Sequence, residues 1–163
     1  MTCSLVVNSK SGNTRMVSGA IKRTLQAAGV EFVHAAALSD DADADQVALE
    51  AQGACAADTV LVGFWCDKGA CTPSVAALLS ALHGKRVFLF GTCGFGADQS
   101  YYQQITNRVT SNLADDAELV GWAMCQGKMG PAVKQRYEAM LEQDPDNARY
   151  KICLLYTSDA ADE

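Results

Sequence analysis

SLVVNSKSGNTRMVSGAIKRTLQAAG, residues 4–29, is the stretch on which the fold turns. Residues 4–8 form an apolar run of strand length. Residues 14–28 carry Val17, Ala20, Ile21, Leu25 and Ala28 on one helical stripe, with Gly29 as a natural stop. Between strand and helix lie Ser9, Lys10, Ser11, Gly12, Asn13 and Thr14. The loop is neither of the two common glycine-rich phosphate motifs, since no Gly-Lys pair opens the helix and no GxGxxG is present. Three hydroxyls and successive backbone N–H groups can nonetheless encircle one phosphate where the helix dipole contributes roughly half a positive charge. Read alone, the same six residues are equally a helix start with an ordinary cap.

Outward from this unit the pattern repeats. VEFVHAAAL (30–38) half-alternates, as an edge strand does, whereas TVLVGFW (59–65) and RVFLFG (86–91) are near-continuous apolar runs suited to central strands. ELVGWAMC (118–125) is the fifth run. Helices are expected over 46–55, 72–82, 99–113 and 132–141. The first of these follows the Asp-rich SDDADAD, and the second opens on Thr72 and Pro73. Such β–α alternation predicts an α/β sandwich of three layers, with a five-stranded parallel sheet in the order 2-1-3-4-5. Ligands of such sheets sit beyond the carboxyl ends of the strands, beside the first and third. Attention therefore falls on the loops after residues 8, 65, 91 and 125.

The second loop, FWCDKGACTP (64–73), brings Trp65, a stacking surface or a core residue, and Gly69, a permissive turn. The third, GTCGFGADQSYY (91–102), has three glycines that let the backbone approach a flat ring, and three competing aromatics, Phe95, Tyr101 and Tyr102. The fourth, CQGKMGP (125–131), offers Lys128 to solvent, a ligand or a partner. Cys66, Cys71, Cys93 and Cys125 all fall on these loops, which raises zinc or an iron–sulfur cluster as a rival reading. No C-x-x-C spacing supports it. His34 and His83 lie away from the loops and carry no expected chemistry.

Composition bounds the rest. A chain of 163 residues, 49% hydrophobic and 20% charged, fits one globular domain with a substantial core. No run approaches the roughly 20 apolar residues of a membrane helix, and no basic leader precedes the first strand, so a cytoplasmic protein with reduced thiols is expected. Residues 153–163, CLLYTSDAADE, resemble the translation of a transposon-end adapter used in DNA library preparation. The reading therefore sets the domain at 1–152, treats 153–163 as a non-native tail and expects the natural C-terminus to differ. Three of the 19 acids and no base lie in that tail, so the formal charge of −6 falls to −3 for 13 basic against 16 acidic residues. A balance of that sign does not fit a nucleic-acid footprint.

Ser9 to Thr14 resembles the phosphate loop S/T-x-T-G-N-T of the flavodoxin family, with Ser11 in place of the second threonine. The five-unit layout extends the resemblance over residues 1 to about 145. It implies non-covalent flavin mononucleotide (FMN), its phosphate held by Ser9, Lys10, Ser11, Gly12, Asn13 and Thr14. The ring would lie along Phe64, Trp65, Cys66, Asp67, Gly69, Gly91, Thr92, Cys93, Gly94, Phe95 and Gly96. No catalytic residue and no metal ligand is implied. The expected task is electron transfer to a partner reductase that carries flavin or an iron–sulfur centre. The alternatives are a small FMN-dependent NAD(P)H reductase of quinone-like acceptors and a phosphate-ligand or metal-binding module. GFWCDKG, FLFGTCGFG and CQGKMGP further resemble a subgroup of short flavodoxin-like proteins that occur beside a bilirubin-reducing flavoenzyme in anaerobic gut bacteria.

Overall fold

A computed structural model describes residues 1–94, 98–151 and 154. Five parallel strands, β1 (Thr2–Val7), β2 (Glu31–Ala37), β3 (Thr59–Trp65), β4 (Arg86–Cys93) and β5 (Glu118–Gln126), alternate with five helices. The helices are α1 (Asn13–Ala27), α2 (Ala44–Ala54), α3 (Pro73–Ser80), α4 (Gln99–Thr110) and α5 (Pro131–Gln143). The sheet order is β2-β1-β3-β4-β5, the order expected from the sequence. Each expected element is found, with ends that move by at most three residues. The largest consequence is at β4, which runs on through Thr92 and Cys93.

The two sheet faces are covered unequally. Val6, Val60, Val62, Phe64, Val87 and Leu89 point to the side packed by Val47 of α2, Leu78 and Leu79 of α3 and Ile105 of α4. Each such fully buried side chain is worth roughly 1.5–3 kcal/mol of transfer free energy. Cys3, Leu5, Val7, Leu61 and Phe90 face the other way, toward Val17, Ile21 and Leu25 of α1. The helix α5 contributes no residue to that cluster among the described residues. Its one buried residue, Tyr137, packs with Met129, Tyr150 and Leu154. An apolar hollow of about 610 Å³ stays open beside α1, lined by Cys3, Ile21, Leu25, Leu61, Phe88 and Val120. Val120 of the edge strand is 37% exposed there.

Local chemistry accounts for the helix starts. Asp43 caps α2 by accepting from Gln46 N–H at 2.9 Å, while Gln46 Oε1 accepts from Asp43 N–H at 3.0 Å, a reciprocal capping box. Pro73 opens α3, but the Thr72 hydroxyl does not cap it. It donates instead to Asn8 Oδ1 at 3.3 Å. That diversion points to the carboxyl edge of the sheet.

Candidate functional site

Asn8 ends the first strand and is 1% exposed. Its N–H donates to Gly63 O at 2.8 Å, and its Nδ2 donates to Leu38 O at 3.0 Å and Asp40 Oδ1 at 2.7 Å. One amide thus ties together the loops after β1, β2 and β3. The chain then turns through Gly12, whose φ of 91° is left-handed. A side chain there is strained by its backbone alone, since nothing lies within 4 Å of a Cβ at that position.

Gly12 is the N-cap of α1 and has no side chain to cap the helix, so the cap residue itself offers no acceptor to the first-turn N–H groups. Two serine oxygens border the opening as acceptors. Ser9 Oγ takes the Arg15 N–H at 3.3 Å, and Ser11 Oγ takes Asn13 Nδ2 at 3.1 Å. Neither bond uses the serine's own proton, so both hydroxyls can donate to an anion. Thr14 differs from the expectation. It is fully covered, and its Oγ1 shares a 2.8 Å hydrogen bond with Thr92 Oγ1 on β4. Asn13 reaches across to the fourth loop, donating to Lys128 O at 3.0 Å. A Cβ at Gly127 would stand 2.6 Å from the same Asn13 Nδ2, so the close approach of the two loops requires glycine.

The second loop folds back sharply. Asp67 and Ala70 exchange both backbone hydrogen bonds, at 2.9 and 3.0 Å, around Lys68 and Gly69 at φ 49° and 84°. Two positive φ values in succession are those of a type I′ turn. Arg108 Nη1, from α4, donates to Gly69 O at 3.4 Å. Cys66 N–H is held by Thr92 O at 2.8 Å, which fixes this loop to β4. Trp65 leans the other way: its Nε1 donates to Asp40 Oδ1 at 2.9 Å, and the Lys10 ammonium stands 4.8 Å from its ring centre.

The third loop separates its residues. Gly91 and Thr92 are strand residues; a Cβ on Gly91 would meet Met124 Sδ at 2.4 Å and Phe64 Cζ at 2.8 Å. Strand packing therefore explains that glycine, where the sequence reading invoked a flat ring. Phe64 lies in the core and Cys93 is buried. Gly94 has open space around it, while Phe95 and Gly96 lie outside the described residues. Of the remaining aromatics, Tyr102 is core. Tyr101 is half-buried against the core, with its phenol pushed up by burial and then by Cys66 and Cys93. Asp40, Thr72 and Arg108 were missed as site residues. Asp40 sits in the Asp-rich run read only as a helix start, and all three act through partners at least 25 residues away.

The thiols are not poised as nucleophiles. Burial raises Cys66 and Cys125, and raises Cys71 from 9.0 to about 11. Among the described residues, no three His, Cys, Asp or Glu side chains gather to hold a metal. The native state therefore keeps the Cys71 proton past pH 9, and its share of stability, intact below that pH, is lost as the pH climbs toward 11. Alkylation followed by mass spectrometry at pH 8 should find Cys71 about a hundredfold slower than a free thiol, with the gap closing as the pH rises.

Comparison with known proteins fits this geometry. A family model for the flavodoxin domain matches residues 4–161. The flavodoxin-like domain-containing protein BilS of Clostridium symbiosum is 34% identical over 159 residues, a match covering 93% of this chain and 82% of that protein. The fold is shared with a flavoprotein from Lactobacillus acidophilus solved in complex with FMN, at a TM-score of 0.52 and 16% identity, covering 76% of this chain and 92% of that one. A WrbA-like flavodoxin from Agrobacterium tumefaciens gives a TM-score of 0.53 at 14% identity, covering 80% and 86%. Among the described residues no helix is long and apolar enough to cross a membrane. By its strand order, its loop between β1 and α1 and these matches, the chain is a member of the flavodoxin family.

Proposed function

We propose that this chain binds one FMN at the carboxyl edge of its sheet and works as an electron carrier for a partner reductase. The observation that carries the reading is the start of α1, where the left-handed N-cap Gly12 offers no side-chain acceptor and Ser9 and Ser11 border the opening with unspent hydroxyl protons. A phosphate dianion fits such an end without a buried counter-cation. The residues beside it fit a flat aromatic ring: Trp65 offers a face, the Asp67–Ala70 turn a flexible edge, and Gly94 open backbone. FMN, once bound, supplies the redox chemistry.

This chain's residues do the rest. Ser9, Ser11 and the N–H groups of Gly12 to Thr14 bind the phosphate. Lys10 and Arg15 stand at the rim. Thr14 and Thr92 couple the loop to β4. The Gly69 turn accommodates a change of protonation at the ring edge through its backbone. No nucleophile or general acid is required. A carrier needs a partner to turn over. The FMN-loaded protein mixed with NADPH or NADH and a quinone should therefore consume the nicotinamide only slowly. Rapid steady consumption by the protein alone would overturn the carrier reading in favour of a stand-alone reductase.

A further inference from the structure

Trp65 is fixed more firmly than a loop-edge indole needs to be. Its Nε1–H donates to Asp40 Oδ1 at 2.9 Å, and the same oxygen takes the Asn8 amide at 2.7 Å. Asn8 is itself held from three sides, by Leu38 O, Gly63 O and the Thr72 hydroxyl. A chain of bonds therefore runs from the buried start of α3, through the end of β1, to a carboxylate on the loop after β2. It ends at the ring nitrogen of the residue closing β3. The Lys10 ammonium lies over one face of the indole, 4.8 Å from its centre.

We propose that Asp40 is a positioning residue of the flavin site, which aims the Trp65 ring through its oxygen's geometry rather than acting through its charge. The inference rests on the FMN reading. Both donors meet a single oxygen, Oδ1, so an amide oxygen in that place keeps both bonds. Asp40→Asn thus preserves the aim while removing the charge, and Asp40→Ala removes both. The cation–π contact with Lys10 alone does not hold the indole against rotation.

The test uses the full chain with Trp122→Phe, so that Trp65 is the one indole reporting. In the apoprotein, near-ultraviolet circular dichroism of Asp40→Asn should match the parent, and Asp40→Ala should lose the indole bands. In FMN titrations followed by flavin fluorescence, Asp40→Asn should bind within about threefold of the parent, and Asp40→Ala about tenfold more weakly. In a Trp65→Phe background, Asp40→Ala should have no further effect on affinity, because the two act as one unit. Equal losses in Asp40→Asn and Asp40→Ala would overturn the proposal in favour of a charge role. So would full additivity with Trp65→Phe, or unchanged apoprotein dichroism in Asp40→Ala. A parent that takes up no FMN, with the dichroism pattern intact, would sink the FMN reading and with it Asp40's role toward flavin, leaving the aim of Trp65 as measured.

Discussion

Replacing Asn8 with alanine is expected to cost about 3 kcal/mol of folding stability, a large effect for one polar residue. The side chain is 1% exposed and makes three hydrogen bonds, to Leu38 O, Asp40 Oδ1 and the Thr72 hydroxyl. Alanine leaves the Leu38 carbonyl without that donor, and leaves the Thr72 hydroxyl only its 3.1 Å hydrogen bond with Ser74 Oγ. A buried group so orphaned costs roughly 1–3 kcal/mol. Asp40 is nearer to solvent and regains water, so its loss is smaller. Asn8→Asp is expected to be no better, since it would set a second carboxylate beside Asp40. Urea unfolding midpoints, at unchanged slope, measure the effect. A loss below about 1 kcal/mol would mean that the amide is a bystander and that the loops are held by strand pairing alone.

The second large effect concerns the phosphate loop. Ser11→Ala is expected to weaken FMN binding by 1.5–3 kcal/mol, roughly ten- to 150-fold, because a hydroxyl-to-phosphate bond is charge-assisted. Stability should hardly change, since Ser11 is exposed and its oxygen only receives the Asn13 amide at 3.1 Å. Thr14→Ala should behave otherwise. Its hydroxyl is covered and paired with Thr92 Oγ1 at 2.8 Å, and Thr92 is 4% exposed. Removing it lowers stability by about 1 kcal/mol as well as affinity, by loosening the loop from β4. Isothermal titration with FMN and urea unfolding on the same two variants separate the roles. Equal stability losses, or an affinity change confined to Thr14, would contradict the assignment of the phosphate to the open side of the loop.

The sheet was legible because its signals are local and repeated. TVLVGFW and RVFLFG read as strands covered on both faces, and Val62 and Leu89 are buried on one face and Leu61 and Phe90 on the other. The first loop was legible for the same reason: strand, polar turn and helix are contiguous in 4–29. What the sequence hid is what joins distant segments. Asp40 bonds Asn8 and Trp65 from 32 and 25 residues away, and nothing in SDDADAD separates that carboxylate from Asp43, which caps α2. Gly91 looked like Gly94, yet one is needed by Phe64 and Met124 and the other borders open space. Only register tells the two apart, with Gly91 opposite Phe64 and Met124 in the neighbouring strands. The place of α5 was also beyond reading, because helical spacing says that a stripe exists and not which surface receives it.

The central claim is that the carboxyl edge of this sheet holds FMN. The most direct measurement is to mix the purified protein with excess FMN, remove free flavin by gel filtration and record the visible spectrum of the protein peak. Bands near 375 and 450 nm (approximate, set by the cofactor's own electronics), at about one flavin per chain, are the result expected. A protein peak without flavin absorption, from a chain shown to be folded by circular dichroism, would contradict it.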